Sequence, residues 1–280
     1  MPTAIPEEAL DELTAAHRRL EHPSLAARLS SIIGTPIEVA FELLPKEWYQ
    51  RLHQGAESAI GKALDVALSS LRRRGPEPAH PGVYKALGAG CGAAGGFFGL
   101  PGLLLELPVS TTLMLRAIAD VARSEGEDVD DPASRLACME VFALGGKAEA
   151  DDAADTGYYG VRLAMAWSVS RSLQHIWAKG LEARGAPAML ELVSVIATRF
   201  GVALSEKAAA QMVPVVGAAG GAAVNLIFMQ HFQDMARAHF TVRRLEREFG
   251  ADAVRQAYLA LTSAERSRAP GARRLLTAQS

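Results

Sequence analysis

The stretch ALGAGCGAAGGFFGLPGLLL, residues 86–105, holds twenty residues without a formal charge between Lys85 and Glu106, and seven of them are glycine. The letters GAAGG at Gly92 to Gly96 return at Gly217 to Gly221, inside a second uncharged stretch from Ala208 to Gln233. Glycine weakens a helix in water, so this density makes physical sense where it lets backbones approach. Gly92 and Gly96, like Gly217 and Gly221, have three residues between them, which lays a smooth strip on one helix face. The two segments therefore predict closely packed central helices or contact with an apolar partner.

Working outward, apolar residues recur at helix spacing throughout, and no stretch alternates apolar and polar residues as a half-buried strand does. Helices are predicted over Pro6–Glu21, Leu25–Ile33, Pro36–Leu43 and Lys46–Arg74, and from Val83 into the glycine run with a break at Leu100 to Gly102. Further helices follow over Leu103–Ser124, irregular at Pro108, and from Pro132 under an Asp131 cap. The rest run over Tyr158–Leu181, Met189–Ala209 and Val213–Gly250. In the Tyr158 helix, Leu163, Trp167, Leu173 and Trp177 are available to a core. GPEPAHPG at Gly75 to Gly82 is the clearest loop, because Pro removes donors and Gly relaxes the backbone.

The fold class expected is all-α, a multi-helix bundle built round two Gly/Ala-rich segments. DVAR at Asp120 to Arg123 and DMAR at Asp234 to Arg237 follow the two GAAGG runs and suggest an internal pseudo-duplication. One helical domain over 1–265 is expected, with N-terminal helices over 1–75, a core over about 83–255 and a flexible tail at 266–280.

A hydrophobic fraction of 49% supplies a large core, and a formal charge of −2 offers no field for nucleic acid. Cys91 and Cys138 form neither a metal cassette nor a disulfide framework. The start MPTAIPEEALDEL lacks the basic and apolar regions of a secretory signal, so cytoplasmic residence is expected, with membrane contact at the inner face of the cytoplasmic membrane. Residues 86–105 are long enough to cross a bilayer, although their glycines and Pro101 suit a buried hairpin or surface contact better.

Chemistry-bearing patterns are sparse. GAAGG is not followed by the Lys-Ser/Thr pair of a phosphate loop, and DDAAD at Asp151 to Asp155 lacks the spacing of a calcium loop. The two helical Glu-x-x-His motifs of a di-iron bundle are not present, so no metal and no cofactor is expected. His231 and Asp234 share a helical face, with Gln230 and Arg237 flanking. An imidazole oriented by a carboxylate can move protons, which makes His231 and Asp234, joined by Glu106 or Glu140, the catalytic candidates if the chain is an enzyme. Phe97, Phe98, Leu103, Glu106, Arg116, Asp120, Asn225, His231 and Arg237 are the candidate ligand contacts on and beside the apolar segments. No spacing fixes an attacking atom, so the leading reading is a non-enzymatic module that binds a lipid, an acyl chain or a membrane-associated protein through an apolar groove. A structural or regulatory interaction module, including a homodimer, is the alternative.

GAAGGFFGLPGLLLELPVSTTLMLRAIADVAR at Gly92 to Arg123, RLACMEVFALGG at Arg135 to Gly146 and VPVVGAAGGAAVNLIFMQHFQDMARAHFTVRRLEREFG at Val213 to Gly250 resemble the EcsC family of bacterial proteins. That family takes its name from the third member of an operon that also encodes an ABC transporter. The resemblance spans about residue 40 to residue 255. It implies a membrane-linked physiology and brings no catalytic set.

Overall fold

Ten helices and no strand make up the residues described by the computed structural model: 5–70, 81–146, 157–180, 185–213 and 217–268. Side chains are described for all of these except 70, 81–98, 217–219 and 268. In chain order the helices are α1 (Glu7–Glu21), α2 (Leu25–Ile33), α3 (Ile37–Phe41), α4 (Glu47–Ser70), α5 (Pro81–Ser124), α6 (Pro132–Leu144), α7 (Tyr158–Lys179), α8 (Pro187–Met212), α9 (Gly217–Phe249) and α10 (Ala251–Arg268). The DDAAD run and most of the Gly75 to Gly82 loop lie outside the described residues, as do the contacts of Cys91, Gly92, Gly96, Phe97, Phe98 and Gly217. Helix α10 reaches Arg268, so the tail is helical two residues beyond the start expected at 266.

The two helices that carry GAAGG, α5 and α9, pack along each other more extensively than any other pair. Helix α9 also meets α1, α2, α6, α8 and α10, while α8 gathers α2, α3, α4, α6 and α7. These two hubs share a ring cluster, Phe142, Phe200, Phe228 and Phe232, with centroids 5.1–6.0 Å apart. A chain with few aromatics spends them where three helices converge, because each ring removes the most apolar area from water. The DVAR and DMAR letters make the same local ion pair on α5 and α9: Arg123 to Asp120 at 2.6 Å and Arg237 to Asp234 at 3.1 Å.

The break in α5 falls at Gly99 (φ 64, ψ −146), one residue before the predicted one. A side chain there would be strained, and glycine adopts this backbone freely. Pro101 then sits in the first turn after the kink, where a missing N–H costs nothing, and the helix continues through Pro108. Asp131 occupies the N-cap position of α6 but makes no side-chain capping bond, so Pro132 sets this helix start.

At the other end of α6, Gly145 lies where a Cβ would meet the Phe232 ring, and Gly146 where it would meet the Arg199 backbone. Arg199 Nε donates to the Ala143 carbonyl at 2.9 Å and Arg199 Nη2 to the Gly146 carbonyl at 3.1 Å. His231 Nε2 donates to the Gly145 carbonyl at 2.8 Å. The orphan carbonyls of a helix end are thus satisfied by side chains of α8 and α9.

Helix α7 corrects one expectation. Its buried face is Tyr158, Val161, Met165, Ser168, Ser172 and Ile176, and Ser172 Oγ donates to the Ala188 carbonyl of α8 at 3.2 Å. Leu163, Trp167 and Trp177 lie outside, at 71%, 57% and 67% exposure. Close approach to α8 needs small residues at the contact, and the serines provide it while the large rings cannot.

Candidate functional site

The most deeply buried charges sit where α5, α8 and α9 meet. Lys207 on α8 is fully buried and donates from Nζ to Glu106 Oε1 on α5 and, at 2.7 Å, to Asn225 Oδ1 on α9. The Phe228 ring lies 5.1 Å from the ammonium. The second carboxylate oxygen of Glu106, Oε2, is buried without a hydrogen-bond partner among the described residues, and so are both amide atoms of Gln211, one turn beyond Lys207. A low-dielectric interior makes both the pairing and the missing bonds count heavily.

A second buried carboxylate, Glu127, stands before α6. It accepts from Arg243 Nε at 2.8 Å, Arg243 Nη2 at 3.1 Å, Ser134 Oγ at 2.7 Å and Arg247. Burial alone would raise its carboxyl, but the bonds from Arg243 and Ser134 and the guanidinium charges outweigh it and hold it down at about 2.

Cavities on the described surface include one along α7 and one beside α8. One, of about 510 Å³, lies among α6, α7, α9 and α10. Leu163, Ala166, Val169, Leu173 and Trp177 give it an apolar wall along α7. Its floor carries Glu140, Tyr159, Arg162, Arg243 and Glu246, where Arg162 Nη1 and the Tyr159 hydroxyl each donate to Glu246 Oε1 at 2.8 Å. Asp252 and Arg255 of α10 close the lining, with the Arg255 guanidinium 5.8 Å from the Tyr159 ring centre. Desolvation raises the Glu140 carboxyl, against the charges of Arg162 and Arg243.

The other cavity, of about 710 Å³, lies among α2, α3, α4 and α8 and includes Glu38, Phe41, Tyr49, His53 and Glu206. Burial, with Glu38 close by, pushes the Glu206 carboxyl up to about 7.

Of the residues singled out from sequence, Glu106 and Asn225 are brought together, and the group that joins them is Lys207, which the sequence reading had not chosen. Its signal was present: Phe200, Ala203, Leu204, Lys207 and Ala208 form one buried stripe of α8. Asp234 is held by Arg237 and, from α2, by Arg28 at 3.0 Å. His231 is buried with its Nε2 on the α6 carbonyl, and burial lowers it to about 4, so it is neutral at physiological pH. Asp120 pairs with Arg123, Leu103 is wholly buried, and Arg116 is half-buried. Glu140 is separate from His231 and Asp234 and faces the α7 cavity, which none of the ligand candidates with a described side chain lines. Cys138 is buried, its thiol pushed up to about 12 by desolvation, which removes it as a nucleophile. No group of three or more His, Cys, Asp or Glu among the described residues is arranged to hold a metal ion.

Comparison with known proteins bears on the chain as a whole. The family model described as the EcsC protein family matches residues 7–245. The chain belongs to the EcsC protein family. No curated protein and no solved structure matches it. The EcsC match takes in α1 to α8 and most of α9, and with them both Lys207 with its partners and the α6 cap.

Two helical segments of this EcsC chain, Gly99–Ser124 and Pro187–Met212, are long and apolar enough to cross a membrane, with mean hydropathy 1.4 and 1.5. About half of each apolar window is buried inside the fold, 56% and 44%. Glu106 lies on the first and Lys207 on the second, so the buried ion pair ties the two apolar helices to each other. Together they are consistent with a module that works beside a membrane or on an apolar protein surface.

Proposed function

We propose that this EcsC protein is a non-enzymatic helical module that accepts the acyl chain or amphipathic body of a lipid, and that the α7 cavity is the groove that takes it. The observation that carries the reading is the division of the cavity lining. The α7 side offers Leu163, Ala166, Val169, Leu173 and Trp177, while the floor offers the Arg162 guanidinium bonded to the Glu246 carboxylate, with Glu140 and Arg243 beside them. A volume of about 510 Å³ falls in the range that encloses a small ligand, and such pockets join apolar walls to a few fixed polar groups. Arg255 at the lining is the cation best placed to meet an anionic head group.

Native mass spectrometry of freshly purified protein, followed by denaturing lipid extraction, tests the proposal together with displacement of a fluorescent fatty acid. We expect copurifying lipid, and a loss of fatty-acid affinity of about tenfold or more in Ala166→Trp, which fills the cavity beside its apolar wall. No copurifying lipid and no fatty-acid binding by the wild type would overturn it. The competing reading, a protein-interaction module, has its own support in Leu105 and Val109, one turn apart on α5 and 81% and 54% exposed. A lipid-free dimer in the same native spectra would favour that reading.

A further inference from the structure

Helix α7, YYGVRLAMAWSVSRSLQHIWAK, contains no Asp or Glu. Of its cations, Arg162 is turned inward onto Glu246, whereas Arg171 and Lys179 lie exposed on the C-terminal half. The Arg171 guanidinium stacks 4.6 Å from the Trp167 ring centre. Leu163, Trp167 and Trp177 fall four and ten residues apart and project to the outside of the fold, so the outer face of the helix carries two tryptophans, a leucine and the Arg171 charge, while Lys179 is exposed at the last residue of the helix. The acidic run Asp151 to Asp155 precedes the helix in the chain. Asp252, at the cavity, has Arg255 within the same turn of α10.

Large indole rings left in water are costly, and at a bilayer interface the ring meets hydrocarbon while its N–H meets head groups. Lys and Arg beside such rings are drawn to the negative potential of anionic lipids. We infer that the exposed face of α7 docks on an anionic lipid bilayer, with Trp167 and Trp177 entering the interface and Arg171 and Lys179 meeting the head groups. The inference rests on the lipid-binding reading and gives it an orientation. Leu163 and Trp177 belong both to this face and to the cavity lining, so docking brings the apolar wall of the cavity to the membrane.

The test uses the full chain with vesicles of phosphatidylcholine alone and of phosphatidylcholine mixed with phosphatidylglycerol, read by cosedimentation and by quenching of tryptophan fluorescence with brominated lipid. Binding to the mixed vesicles, with quenching, is expected. Arg171→Glu combined with Lys179→Glu should weaken it about 30-fold or more, since each cation near an anionic surface contributes about fivefold and reversal also adds repulsion. Trp167→Ser combined with Trp177→Ser should abolish the quenching, leaving only the signal of the half-buried Trp48. All four side chains are exposed, so the variants should melt with the wild type. Equal binding of the charge-reversed and wild-type proteins overturns the inference. So does self-association in light scattering that disappears in the tryptophan variant, which would make the face an interface between copies. If fatty acid enters the cavity but no vesicle is bound, docking fails and the lipid-binding reading stands. Docking without fatty-acid binding has the reverse meaning.

Discussion

Glu127 and Glu106 are both buried carboxylates on or beside the α5 helix, and their surroundings differ in one respect. Both oxygens of Glu127 are bonded, to two arginines and a serine, whereas Glu106 has one oxygen on Lys207 and one with no partner among the described residues. The first arrangement is a finished clasp between the loop before α6 and the far end of α9. The second is a single ammonium holding a carboxylate and an amide where three helices cross. A buried ion pair compensates its desolvation only when the remaining lone pairs are also satisfied, so the Glu127 cluster should contribute stability and the Glu106 pair should chiefly enforce which helices meet.

The largest expected effect breaks the pair with Lys207→Met. Removing one partner strands a buried charge, so the variant should lose about 3–5 kcal/mol in urea unfolding at neutral pH. Lys207→Met combined with Glu106→Met should recover most of that loss, because the stranded charge is gone. If the double variant is as unstable as the single one, the pair itself stabilises the fold and the contrast with Glu127 collapses.

The next effect belongs to Glu127. Its carboxyl titrates lower in the fold than in the unfolded chain, so its stabilisation is complete above pH about 4.5 and is lost as pH falls toward about 2. Glu127→Gln should therefore cost about 2–3 kcal/mol at pH 7 and much less near pH 2.5. A constant difference across that range would show that the clasp acts through shape and not charge.

Glu206 sharpens the comparison from the other side, as a half-buried carboxylate with no hydrogen bond from a described residue. Its carboxyl is raised to about 7, so the unfolded chain gives up its proton first and stability falls as pH rises from about 4.5 to about 7. Glu206→Gln should gain about 1–2 kcal/mol at pH 8, a figure reduced for its partial exposure, and gain nothing at pH 4.5. Denaturation curves at the two pH values check this, and a variant less stable than the wild type at pH 8 would mean that the carboxylate has a partner worth keeping.

Much of the fold was legible before the structure. Helix period, Pro and Gly placed α1, α2, α4, α7 and α8 within a few residues, and the repeated GAAGG pointed to α5 and α9 as the closest pair. The candidate site was legible only in part. Glu106 and Asn225 were visible as polar residues in apolar surroundings, but Lys207, in LSEKAAAQ, reads as a solvated helix cation until α5 and α9 are seen to cover it. Likewise His231 and Asp234 share a face, yet their partners, Gly145 and Arg28, come from helices remote in sequence.

The sequence by itself determined the helices, the family and the two glycine-rich segments, because period, capping and backbone freedom are local properties. Which face of each helix is inside was decided by tertiary structure. Helix α7 has an apolar face of leucine and tryptophan and a second face on which Ser168 and Ser172 lie between Met165 and Ile176, and only the second fits against α8 at the distance its serines allow. Close packing therefore turned the larger rings to the outside, and that choice depends on the shape of a neighbour absent from the local sequence.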